Sequence, residues 1–178
     1  MCSCQNIDNL PYLNTSASED ITITDGLGRE ITSVVSPEKI ISLAASNTEI
    51  LYAINANTSL VGRDEYSDYP KEVLEIQSIG SLYPQVNTEE IVNLQPDLVL
   101  AAGITNPDDV TALEKLGLTV FTTSIASDLD DIYEDIINLG VITGYVNNAT
   151  NLVDTMKSRV QTVQDTVSTY SKKPSVYY

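Results

Sequence analysis

Apolar residues along this chain follow two periods, and each change of period marks a new element. In "ITITDGLGREITSVV", Ile21 and Ile23, then Ile31 and Val34, flank Asp25-Gly26 and Gly28. Residues that admit positive φ between two apolar flanks predict a β-hairpin over 21–35. From Lys39 onward the pattern alternates between buried strands and capped helices. "KIISLA" reads as a strand covered on both faces, and "SNTEILYAI" as a helix with Ser46 or Asn47 at its N-cap. "SLVG" is a short strand. Pro70 can open a short helix, since its fixed φ and missing N–H cost nothing at the first position. "VNTEEIVNLQPDLVLAA" predicts a helix with Asn87 and Glu90 at capping-box spacing, a turn at Gln95-Pro96, and a strand from Asp97 to Ala102. "NPDDVTALEKLG" repeats the logic, with Asn106 as cap, Pro107 at the first helical position and Gly117 at the stop. "LTVFTT" is the next strand, and Ser127 or Asp128 opens an amphipathic helix running to about Gly140.

The final helix is longer than the others. Ala149, Leu152, Val153, Met156, Val160, Val163, Val167 and Tyr170 recur on one face over about six turns. Pro174 stops it, and "SVYY" begins to look like a strand with no chain left to complete it. The expectation is a truncated protein, with a second domain following in a longer parent. The helix face and the strand stub then lack partners, so some self-association is expected.

Composition narrows the chemistry. The 178 residues suit one domain, or one domain with an appendage, and 42% are apolar, enough for a core. With 9 basic and 25 acidic residues the net charge is −16. Such a surface repels phosphate backbones and anionic headgroups, so no nucleic-acid partner is expected. Solubility is its plainer consequence. No run approaches the roughly 18 apolar residues of a membrane span, and no secretory h-region is present. Histidine is absent, which removes a His-ligated zinc, a Ser–His–Asp relay and a Cys–His pair. There is no GxGxxG, P-loop or nucleophile elbow, so no enzyme and no metal site are expected. Cys2 and Cys4 are too close for a core-spanning disulfide and too few for a metal site. They are either a cloning remnant or frayed end, or Cys2 is the acylated cysteine of a lipoprotein. The polar residues 1–20 have the composition of a flexible tether to such an anchor.

The segments "DGLGREI", "PEKIISLAASNTEIL", "LVGRDEYSDYP", "NTEEIVNLQPDLVLA", "LEKLGLTVF" and "LGVITG" follow one another in fixed order. That order resembles the substrate-binding proteins of bacterial ABC importers for cobalamin, ferric siderophores and haem. "NTE" followed by "YSDYP" is most similar to the vitamin B12-binding branch. The resemblance implies an α/β, Rossmann-like lobe with a central, mainly parallel sheet flanked by helices, an N-terminal β-hairpin and a long C-terminal bridging helix. In that pattern residues 21–145 are implied to be the ligand-binding lobe, 146–173 the bridging helix, and 174–178 the first strand of a second lobe. It also implies an extracytoplasmic protein that holds a metal chelate between lobes and hands it to permease subunits. The ligand it implies is cobalamin, a ferric siderophore or haem, with no covalent cofactor, and membrane contact is expected only through lipid on Cys2. One lobe alone is expected to bind weakly or not at all.

Ligands of α/β sheets collect at the carboxyl ends of strands, here the loops at 45–47, 64–69, 81–85 and 102–105. The resemblance places ligand contacts at Tyr66 and Tyr83, with Tyr69, Ser46, Asn47 and Ala102 beside them. Tyrosine offers a broad apolar face and a hydroxyl for peripheral amides, although Tyr66 and Tyr69 could equally pack their loop onto the sheet. Ala102 stands where the vitamin B12-binding branch has a tryptophan, which implies a roomier mouth. Asp64, Glu65 and Asp68 alternate along a loop without completing an oxygen cage, so they are expected to be solvated. Glu89 matches the family's permease-docking glutamate, or serves its own helix N-terminus. Glu49 matches a family position too and is expected to buttress its helix. An alternating β/α chain rich in acids also suits a receiver-like signalling domain, but the hairpin and the extended last helix do not.

Overall fold

The computed structural model describes residues 20–171 and residue 175. Cys2, nearly all of the expected tether and the expected strand at 174–178 lie outside the described residues, Ser175 apart. Strands β1 (Asp20–Thr24) and β2 (Glu30–Val34) pair antiparallel with Ile23 opposite Ile31, and Gly28 takes φ 76° in the turn between them. Asp25 holds that turn. Its Oδ1 accepts the Leu27 and Arg29 amides, and its Oδ2 accepts the Arg29 guanidinium at 2.6 Å.

Four further strands form one parallel sheet: β3 (Ile40–Ser42), β4 (Leu60–Arg63), β5 (Leu98–Ala102) and β6 (Val120–Thr123), in the order β4-β3-β5-β6. A fifth segment, 77–80, runs beside β4. The Arg63 amide bonds Gln77 O, and the Ile79 amide bonds Arg63 O. Side chains alternate along the strands into two cores. Ile40, Leu98, Leu100 and Phe121 point to one, and Ile41, Val99, Ala101 and Val120 to the other. Helices α1 (Ala45–Ala53), α4 (Leu129–Thr143) and α5 (Val146–Ser168) cover the first face. Helices α2 (Thr88–Leu94) and α3 (Pro107–Lys115) cover the second. The fold class expected from the sequence is the one observed.

Several boundaries differ, each for a local reason. Helix α1 starts at Ala45 with Ala44 before it and no side-chain cap, because Asn47 turns inward and Ser46 faces solvent. Pro70 precedes the 3-10 turn Lys71–Glu75 rather than joining it. The capping box is half realised: Asn87 accepts the Glu90 amide, while the Glu90 carboxylate takes Gln77 instead. Strand β5 starts at Leu98, since Asp97 is occupied with the amides of Glu38 and Lys39 at 2.9 Å each.

Helix α4 does not stop at Gly140 but three residues later, where Gly144 takes φ 79°. Gly140 serves packing instead, since a Cβ there would overlap that of Ala149 on α5. The contact brings α5 close enough for Asn148 Nδ2 to bond Ile54 O at 2.8 Å. At 1.5 Å per residue, the 23 residues of α5 extend about 35 Å. Only the first half is covered. Ala149 and Val153 are buried, whereas Val163 further along is 62% exposed and Val167 and Tyr170 are exposed with it.

This contact yields a sign test. Gly→Ala inside a helix ordinarily gains up to about 1 kcal/mol. At Gly140 the added methyl has no room, so Gly140→Ala should instead lower stability by about 1–3 kcal/mol, the usual cost of overpacking. Urea midpoints of the two proteins decide it, and a gain would mean that α4 and α5 are not in close contact there.

Candidate functional site

The sheet is buried on both faces, which directs attention to the loops at its carboxyl edge, where ligands of such sheets collect. Those loops are bound to one another by polar side chains. Asp64, just past β4, is buried; its Oδ2 accepts the Tyr66 amide at 3.0 Å and its Oδ1 accepts the Ser67 hydroxyl. Ser67 Oγ lies 2.9 Å from Thr48 Oγ1 on α1, which donates to Ser42 Oγ at the end of β3 at 2.9 Å. The Asp64 amide bonds Ser42 O at 3.0 Å, and the Glu65 amide bonds Gly80 O at 3.1 Å. From below, the buried Arg63 guanidinium donates to Val73 O and Asp64 O, both at 3.0 Å. Asn47 is fully buried; its Nδ2 donates to Ala101 O at 2.9 Å, and its Oδ1 accepts Thr123 Oγ1 at 3.0 Å.

This lacing corrects two expectations. Asp64 is not a solvated loop acid but the acceptor around which the 64–69 turn folds, while Glu65 and Asp68 are exposed as expected. Asn47 presents no surface to a ligand in this arrangement, because its amide joins α1 to β5 and β6. Ala102 is also buried, its amide bonded to Thr105 Oγ1 at 3.0 Å. Ser46 is exposed on the first turn of α1, as is Glu49.

The tyrosines stand outward. Tyr66 is 66% exposed and Tyr69 equally so, and Tyr83, on the loop after the 77–80 segment, is 86% exposed. Tyr66 and Tyr69 therefore do not pack their loop onto the sheet. Glu89 opens α2 at the same edge, exposed and with no side-chain partner among the described residues. Two apolar residues not singled out in the sequence complete the row. Ile104 after β5 is 86% exposed and Ile125 after β6 is 66% exposed. Gly103 lets the second approach, since any Cβ there would overlap Ile125. Their sequence signal is a lone isoleucine between loop formers, in "AGITNP" and "TSIASD", which a search for periodicity passes over. The signal for the Asp64 turn is the spacing Asp-x-x-Ser, which favours side-chain to backbone bonding.

At the β6 end, Asp135 on α4 is buried and accepts the Ser124 amide at 3.0 Å and its hydroxyl at 2.7 Å. Burial pushes this carboxyl above the ordinary carboxylate range; the Ser124 bonds pull it back, and the nearby Asp131 adds to the rise. A groove of about 540 Å³ lies beside this end, between the start of α4 and α5, lined by Asp128, Leu129, Tyr133, Lys157 and Val160. Among the described residues no three potential ligands cluster as a metal site, and no helix is long and apolar enough to cross a membrane.

Two substitutions test the lacing. Asp64→Ala leaves the Tyr66 amide and the Ser67 hydroxyl without their acceptor, and should cost about 1–3 kcal/mol in urea unfolding. Amide exchange at Tyr66 should quicken at the same time. At Asp135 the folded state holds the proton more tightly than the unfolded state. Stability from this group therefore fades as pH rises from the ordinary 3.8 through the raised value. Asp135→Asn retains an acceptor for the Ser124 amide, so it should remove that pH dependence and be at least as stable as the parent at neutral pH. Urea midpoints across the acid-to-neutral range measure this.

Comparison with known proteins agrees with this architecture. The family described as periplasmic binding protein matches residues 40–178. The ABC transporter substrate-binding lipoprotein YvrC of Bacillus subtilis, itself uncharacterized, is 36% identical over 155 residues, covering 85% of this chain and 49% of YvrC. The solved periplasmic vitamin B12-binding protein BtuF of Vibrio cholerae superposes with a TM-score of 0.69 at 31% identity, over 76% of this chain and 52% of BtuF. A periplasmic haem-binding protein of Pseudomonas aeruginosa gives 0.68 at 25% identity, over 72% and 46%. The chain thus spans about half the length of the relatives it matches. With the matched residues running from the first strand of the parallel sheet through α5, the chain belongs to the periplasmic binding protein family.

Proposed function

We propose that this chain is the ligand-binding lobe of an extracytoplasmic substrate-binding protein that delivers a metal chelate to an ABC importer. In this reading residues 21–145 are the lobe, 146–173 the bridging helix and 174–178 the opening strand of a second lobe. The favoured ligand is cobalamin or a related large metal chelate, and the protein binds and releases it without chemistry. The observation that carries the reading is the row of exposed tyrosines, Tyr66, Tyr69 and Tyr83, on loops tied down by buried polar bonds. A soluble domain gains nothing by exposing three aromatic rings at one edge unless something flat covers them. Ser46 sits beside them, with Asn47 and Ala102 acting from beneath as supports. Ferric siderophore or haem is the second reading, favoured by the likeness to a haem-binding protein. Lipid on Cys2 would anchor the protein, by analogy with the relative described as a lipoprotein.

Glu89 is the proposed permease contact. Its carboxylate opens a helix at the binding edge and is free to seat against a permease cation.

Tyr66→Ala and Tyr83→Ala should each weaken corrinoid binding about tenfold, from roughly 1.5 kcal/mol of lost apolar contact, with unfolding midpoints unchanged. Isothermal calorimetry on the two-lobed protein measures this, and unchanged affinity in both variants would remove the tyrosines from the site. Glu89→Ala should impair transport while affinity stays constant, and Glu89→Arg should be worse, through like-charge repulsion. A parallel loss of ligand affinity would instead place Glu89 in the pocket.

A further inference from the structure

The binding edge carries a chemical asymmetry that bears on what it can hold. On the β4 side it presents tyrosines, whose hydroxyls can bond neutral amides. On the β5–β6 side it presents Ile104 and Ile125, which offer only apolar contact. Around both, the exposed charges are acidic: Glu65 and Asp68 in the tyrosine loop, Asp108 at the start of α3, and Asp128 and Asp130 at the start of α4.

The described cations are placed elsewhere or committed. Arg29 is ion-paired to Asp25 and Glu114 at 2.6 Å each. Arg63 is buried against two carbonyls. Lys39 precedes β3 and Lys115 ends α3, both at the opposite edge of the sheet. Lys157 stands over the Tyr133 ring, 5.0 Å from its centre, in the groove with Asp128 and Asp130, and Arg159 follows it on α5. Lys71 follows the tyrosine loop, in a turn where Glu72 and Glu75 outnumber it.

We propose that this edge discriminates by charge, accepting neutral or cationic macrocycles with an amide fringe and disfavouring otherwise similar ones with a carboxylate fringe. The inference rests on the ligand site proposed above and deepens it. A carboxylate laid against Ile104 or Ile125 would lose water without gaining a donor. One laid near Glu65 or Asp68 would meet like charge. An amide pays neither penalty in full, and the tyrosine hydroxyls can bond it. A porphyrin with two propionates is then a poorer ligand than a corrinoid whose side chains are amides.

The test is a titration of the two-lobed protein followed by nuclear magnetic resonance, which both detects binding and locates it. The probes are cyanocobalamin and the derivative in which one peripheral amide has been hydrolysed to a carboxylate. Both should shift Tyr66, Tyr83, Ile104 and Ile125. At low salt the carboxylate form should bind about five-fold more weakly, the size expected of two exposed carboxylates acting across roughly 8 Å of water. The gap should close at about 1 M salt, where the screening length is only about 3 Å. It should also close in a Glu65→Gln, Asp68→Asn double variant, which removes both charges at exposed positions. Equal or tighter binding of the carboxylate form by the parent at low salt overturns the charge inference alone. So does a gap indifferent to salt and to the double variant. If neither corrinoid shifts those residues, the ligand site itself is misread and the inference falls with it.

Discussion

A parallel sheet covered on both faces has no side on which to work. Every residue of β5 and β6 is buried, and so is all of β3. Helices on both sides satisfy the apolar side chains and exclude ligands from the faces. What remains is the edge where the strands end and the backbone turns back toward a helix. All the candidate contacts fall on that edge, although they come from positions as far apart in sequence as Ser46 and Ile125. The constraint is one of burial. It explains why the residues of interest are loop residues and why they converge.

Convergence alone does not make a site, because loops that move lose the benefit in ordering entropy when a ligand arrives. Here the order is built in beforehand. The turn at 64–67 hangs on Asp64, and the Ser67–Thr48–Ser42 contacts fasten it to the neighbouring strand end. Asn47 and Thr123 do the same for β5 and β6, and Asp135 does so for the loop that presents Ile125. Polar groups on one side of each loop are consumed inside the protein, leaving Tyr66, Tyr69, Ile104 and Ile125 exposed on the other. Preorganisation of this kind lowers the ordering cost of binding.

The fold was legible in the sequence because its signals are local and repeated. The strands begin within a residue or two of where they were expected, and Asn87, Asn106 and Asp128 are the caps that the sequence marks, whereas α4 ends three residues late and α5 ends at Ser168 rather than 173. Failures fell where tertiary contact overrode a local rule. Asn47 looked like a cap and is a tie between strands; Gly140 looked like a stop and is a contact surface. Asp64 looked like a solvated acid because its acceptors' partners, a backbone amide and a serine three residues on, leave no trace in charge or periodicity. The tyrosines were marked as candidates by the resemblance, whereas Ile104 and Ile125 were not, since an isolated aliphatic residue in a loop has no pattern.

Arg63 shows how the two layers of the edge depend on each other. A guanidinium with this little exposure usually needs a carboxylate, yet none pairs with it among the described residues. Its charge is met instead by Val73 O and Asp64 O, carbonyls at either end of the loop that displays Tyr66 and Tyr69. A planar fork can bond both carbonyls at once from a fixed position; the single ammonium of a lysine cannot reproduce that spread. The desolvation of one cation is thereby offset by closing a loop of ten residues over it, at the strand end that displays the tyrosines. The buried arginine and the exposed aromatic rings are two sides of the same turn.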